Sequence, residues 1–289
     1  MTTKLTGSRT WRDPALWRTE ELYEQGLALM ERVGALGLAE DLEELGRFDP
    51  LLPHYILQFQ FGEILSRPGL DLRTRMLCLI ASGLMAGREA VVEGAMHAYL
   101  ELGGDRQEIV EVVVQTGSEG FPIWLVGARL GLKVFRERGL VPEPDAQDSG
   151  ADAWKDRTRW EKQGLYEKGW ELRDLMVGKD APTHYDLHAQ LDPLFPHYVL
   201  QFRFATLEGR PGLDIMTRYL CNYAMFLAAK AEAATDNFLQ GALNAGATPQ
   251  ACVEVFLQTG TLCGFSRWTL GSKLCRKVFG ERGLLEAAA

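Results

Sequence analysis

Glu89, Glu93 and His97 fall at i, i+4 and i+8 of the segment EAVVEGAMHAYLE, which lines all three along one face of a helix. A carboxylate one turn from an imidazole can orient the ring and favour its protonated form. Such a pair exchanges protons with carbon or carboxylate substrates near neutral pH. His97 and Glu93 are therefore the candidate catalytic pair, with Glu89 a candidate substrate contact beside them. Arg75, like Arg67, has the guanidinium fork that clamps a substrate carboxylate; its other reading is a tie from loop to helix or a pair with Asp71. His54 and Tyr55, and again His197, stand in a Pro-His-Tyr context at a helix start, where an anion is favoured. Trp124, with Phe121, has the size to wall an apolar, ring-sized cavity. His184 and His188 have zinc-ligand spacing but neither a glutamate base nor a clear third ligand. They are read as pocket-lining, and no metal is expected.

A long internal repeat helps to sort these residues. DPLLPHYILQFQF from Asp49 returns as DPLFPHYVLQFRF from Asp192, and RPGLDLRTRMLC from Arg67 returns as RPGLDIMTRYLC from Arg210. Both offsets are 143 residues (192 − 49 and 210 − 67), and one extra residue enters the second copy near Cys263. A residue kept in both copies serves the common fold, whereas a polar residue kept in one is a candidate for chemistry. His97 becomes Gln240 and Glu93 becomes Asp236, so the shared fold requires neither. Glu89, Arg75, and the His54-Tyr55 pair recur as Glu232, Arg218 and His197-Tyr198, which favours structural work for them.

Those residues must be positioned by helices. Apolar positions recur at helical spacing almost throughout, and no alternating run bounded by hairpin turns appears, so the expectation is an all-α fold. Leu51 to Leu65 reads as one helix stopped by Pro68-Gly69, and Asp71 caps a following helix that is apolar all round and hence buried. Glu89 to Leu102, a helix capped by Asp105, and Phe121 to Arg138 complete the series, which the second copy repeats. Residues 1–140 form the first unit and 154–289 the second, degenerate one. The Pro- and Asp-rich segment 141–153 links them. Two such units are expected to pack together to cover their apolar faces.

Charge and composition exclude several classes. With 31 basic against 39 acidic residues and a net charge of −8, the chain offers no basic stripe for nucleic acid. No apolar run is long enough to span a membrane, and no partner membrane is expected. Five cysteines without a C-x-x-C pair fit a reducing, cytoplasmic setting. Cys78 and Cys221, in the most apolar helix of each copy, read as small buried hydrophobes.

SRPGLDLRTR, then the Glu93-to-His97 E-x-x-x-H, then EIVEVVVQTG in that order resemble the carboxymuconolactone decarboxylase family, part of the alkylhydroperoxidase-D-like group. The resemblance covers roughly residues 51–135 and, more weakly, 194–279. It implies an alkylhydroperoxidase-D-like helical unit, acid–base chemistry without a cofactor, and self-association of tandem chains as a homotrimer. The peroxide-reducing branch of the group has C-x-x-C followed by histidine, where this chain has Glu93, Met96 and His97. Peroxide reduction is thereby disfavoured. The expected function is a lyase that decarboxylates a small cyclic carboxylated lactone or ketone, with the second copy a scaffold or pocket wall. Isomerisation, dehydration or ring opening of a related cyclic substrate, and a non-catalytic ligand-binding scaffold, are the alternatives.

Overall fold

The structure, a computed structural model, describes residues 19–33, 37–141, 164–181, 185 and 189–285. Residues 142–153 of the linker and both His184 and His188 lie outside the described residues. The described residues are helical with no strand. In chain order the helices are α1 (Thr19–Arg32), α2 (Gly37–Phe48), α3 (Tyr55–Leu65), α4 (Leu72–Met85), α5 (Glu89–Glu101), α6 (Arg106–Gln115) and α7 (Pro122–Glu137). Then follow α8 (Leu165–Val177), α9 (Tyr198–Glu208), α10 (Ile215–Ala229), α11 (Glu232–Asn244), α12 (Pro249–Cys263) and α13 (Ser266–Glu281).

Capping follows from side-chain chemistry. Asp71 accepts the Thr74 N–H at 3.0 Å, Asp214 accepts that of Thr217 at 2.9 Å, and Thr248 accepts that of Ala251 at 3.0 Å. Asp105 and Glu108 form a reciprocal capping box at the start of α6. Asp71 is thus spent as a cap and does not pair with Arg75.

Two elements depart from the expected pattern. The segment from Leu51 to Leu65 is not one α-helix: after a single turn at Leu52–His54, α3 is a wide, π-type helix, and α9 repeats this after Phe195–His197. The extra residue near Cys263 has a structural counterpart too. In the first half α6 gives way to a tight 3-10 turn at Thr116–Glu119, whereas α12 runs on without interruption to Cys263.

α3 is gripped by α1 at a backbone-to-backbone crossing. A β-carbon on Gly26 would overlap the Leu57 carbonyl, and one on Gly62 would overlap that of Leu22. Gly169 meets Leu200 in the same way where α8 crosses α9. Because the obstacle is backbone, Gly26→Ala has to push α1 off α3. Overpacking of this kind destabilises by ~1–3 kcal/mol, to be read as a lowered midpoint in denaturant unfolding.

The core is built on α4 and α10, which pack against each other. Every residue from Arg75 to Leu84 and from Thr217 to Ala228 is buried. Cys78 and Cys221 meet there with sulfurs 4.0 Å apart, and burial drives the Cys221 thiol well above its ordinary pKa. Two buried charge clusters flank this crossing. Glu254 on α12 accepts from Arg75 Nη2 at 3.0 Å and from Arg67 Nε at 3.0 Å. In mirror fashion Glu111 on α6 accepts from Arg218 Nη2 at 3.3 Å and from Arg210 Nε at 2.9 Å. Each carboxylate thus holds the arginines of the other half of the chain.

Candidate functional site

α5 presents Glu93 and His97 on one face because they are one turn apart, as the spacing predicts. α7 packs against α5 and determines what they meet. The His97 Nε2 lies 3.0 Å from Glu137 Oε2, while the Arg138 Nε donates to His97 Nδ1 at 3.1 Å. A guanidinium can only donate, so Nδ1 is the acceptor and the proton sits on Nε2, directed at Glu137. His97 is therefore held as the neutral Nε2–H tautomer. Glu93 bonds instead to Lys133 Nζ at 2.5 Å, and that contact raises the lysine's pKa. The expectation that Glu93 orients His97 is corrected: the orienting carboxylate is Glu137.

Glu93, His97 and Glu137 bring three potential ligand atoms within 4.8 Å of one another. Their surroundings do not suit a cation. A metal-bound imidazole donates from its second nitrogen to an acceptor, whereas here that nitrogen receives a hydrogen from Arg138. Lys133 already neutralises Glu93. The group is a charged hydrogen-bonding network, Glu137–His97–Arg138 beside Glu93–Lys133.

The network opens on a cavity of about 940 Å³. Glu93, His97, Arg88 and Arg138 supply its polar wall, and Phe61, Leu65, Met76 and Leu79 much of its apolar one. Thr261 and Leu262, from α12 of the second half, also line it. An apolar chamber of this size with a few convergent polar groups is what a small-molecule site requires.

The other candidate residues lie elsewhere. Arg75 is fully buried, its donors taken by Glu254, the Leu70 and Arg67 carbonyls and Gln258, so it is no substrate clamp. Trp124 donates its indole N–H to the Val114 carbonyl at 2.7 Å and packs over Gly117, away from the cavity lining. His54 packs at a tilt against Tyr23, His197 packs likewise against Tyr166 and bonds Gln201, and Tyr55 is 58% exposed. None of these three lines the cavity, nor does Glu89, which is exposed in the first turn of α5.

Arg88, Arg138 and Glu137 were not singled out by sequence reasoning. Arg88 had a usable signal, since the second copy has Ala231 in its place. Glu137 and Arg138 recur as Glu281 and Arg282, so the comparison of copies assigns them to the fold.

Two comparisons with known proteins bear on this geometry. The sequence model of the carboxymuconolactone decarboxylase family matches residues 193–274, in the half where the motif resemblance is the weaker. The 4-carboxymuconolactone decarboxylase of Acinetobacter baylyi is 31% identical over 131 residues, which are 45% of this chain and 98% of that protein. With nearly the whole of that relative matched and the helical fold in place, the chain belongs to the carboxymuconolactone decarboxylase family.

Proposed function

We propose that the protein is a lyase that decarboxylates a small cyclic carboxylated lactone or ketone in the His97 cavity. The observation behind this reading is the neutral His97, its Nε2–H directed at Glu137 and its Nδ1 accepting from Arg138, at the wall of an apolar chamber. The relative's activity on carboxymuconolactone supports the substrate class. Arg88 and Arg138 offer cationic donors to the substrate carboxylate. When the C–C bond to that carboxylate breaks, carbon dioxide leaves and the electron pair stays as an enolate. The enolate oxygen replaces Glu137 as acceptor of the His97 Nε2–H, and its carbon takes a proton that the Lys133 ammonium passes through the Glu93 carboxylate. Lys133, half exposed and bonded to Glu93, returns a proton from solvent.

Glu93 as a carboxylate is also a base, and it suits isomerisation through the same enolate. Incubation with carboxymuconolactone and a panel of cyclic β-keto and lactone acids in deuterated water separates the two. Decarboxylation releases carbon dioxide and leaves one deuterium on a carbon that carried the enolate charge. Isomerisation introduces deuterium with every carboxylate retained.

The two halves are read as tandem family units, the second lacking this acid–base pair. Leu51, Tyr55, Leu194 and Tyr198, all more than half exposed, support self-association. A homotrimer is the form proposed, and sedimentation equilibrium measures it.

A further inference from the structure

Gln60, Leu65, Met76 and Leu79 all line the His97 cavity. The residues 143 positions later are Arg203, Glu208, Tyr219 and Asn222. Glu208 and Asn222 are buried, at 3% and 1% exposure. Neither carboxylate oxygen of Glu208 and neither amide atom of Asn222 has a hydrogen-bond partner among the described residues. Arg203 holds a guanidinium nitrogen 3.7 Å from Glu208 Oε1, beyond hydrogen-bond reach, and rests on the rings of Phe204 and Phe238. Its side chain is 26% exposed, so it links this buried group to the surface.

A second half that served only as scaffold would keep the leucine that the first half has at both places. Buried polar atoms in folded proteins find partners, and four orphaned ones at the positions equivalent to cavity-lining leucines call for a guest that supplies them. We propose that the second half holds a second binding site, centred on Glu208, Asn222 and Arg203, for a small keto or hydroxy carboxylate. Arg203 takes the ligand's carboxylate, Asn222 bonds its carbonyl or hydroxyl through the amide, and Glu208 donates as the protonated acid. Burial pushes the Glu208 carboxyl up to about 7, with Arg203 and Arg218 opposing. Tyr219 and Tyr185, both driven up by burial, are the other titratable groups that sense it. A carboxyl poised there both gives and takes a hydrogen at neutral pH. This site stands apart from the reaction assigned to His97.

The test is calorimetric titration of the full chain bearing His97→Ala with 4-oxopentanoate. It is run at about pH 7.5 in two buffers of different ionisation enthalpy. The expected result is saturable binding with net proton uptake, because a ligand carboxylate beside Glu208 completes its protonation. Arg203→Gln, Glu208→Leu and Asn222→Leu, each the residue of the first half, weaken binding about tenfold or more. Glu208→Gln, which keeps shape if the leucine variant fails to fold, removes the proton uptake.

Without ligand, the raised carboxyl also sets a pH slope. Its contribution to stability is greatest below the ordinary carboxylate range and falls as pH rises towards 7, because the folded state retains a proton there that the unfolded chain gives up. Glu208→Leu flattens that slope. Absence of binding, or binding and proton uptake unchanged in these variants, overturns the site and leaves the cluster as one filled by water alone. Neither result bears on carbon dioxide release at His97.

Discussion

Glu254→Ala is expected to destabilise the protein by about 3–5 kcal/mol, the usual consequence of removing one partner from a buried ion pair. Arg75 is the reason. Its guanidinium is wholly buried, burial already lowers its pKa, and Glu254 is the group that opposes this. Without the carboxylate, Arg75 and Arg67 lose their shared acceptor on α12 while Arg75 stays out of water. Glu111→Ala has the same effect on Arg218 and Arg210. By contrast, the exposed Lys273–Glu232 pair is worth no more than about 1 kcal/mol. Urea unfolding of Glu254→Ala, Glu111→Ala and Glu232→Ala checks the ranking. Equal, small losses in all of them would mean that the two halves are held by apolar packing of α4 on α10 alone.

His97→Ala, with the fold retained, is expected to reduce kcat about 10²–10³-fold, the range for loss of one donor to a developing oxyanion. His97→Gln then discriminates between roles. Glutamine is the residue the second half has at this place, and its amide N–H can still donate. If His97 works as a hydrogen-bond donor, the glutamine variant recovers part of the rate. If His97 itself moves the proton, glutamine is as inactive as alanine. Glu137→Gln tests the geometry behind both, since it weakens the hold on the Nε2–H without touching the apolar wall.

The helical class and the caps at Asp71 and Asp105 were legible because they depend on local patterns. The wide form of α3 and α9 was not, since an apolar stripe does not distinguish i→i+4 from i→i+5 bonding. Placing Glu93 and His97 on one face was a matter of spacing, but naming their partners was not. Glu137 and Lys133 are 40 residues away from the groups they hold, and only the packing of α7 on α5 brings them together. Comparing the copies set apart His97, which lines the cavity, from the recurring Arg75, His54 and Tyr55, which do not. It had less grip on Glu111 and Glu254, whose signal was a lone acid inside an apolar helix in both copies. Such a charge needs a buried partner, and the recurring arginines were the available ones.

The most direct test of the His97 reading is carbon dioxide release from carboxymuconolactone by the wild-type chain and by folded His97→Ala under identical conditions. The account predicts steady release by the wild type and a loss of about 10²-fold or more in the variant. Equal release by both would place the chemistry outside the His97 cavity and contradict the account.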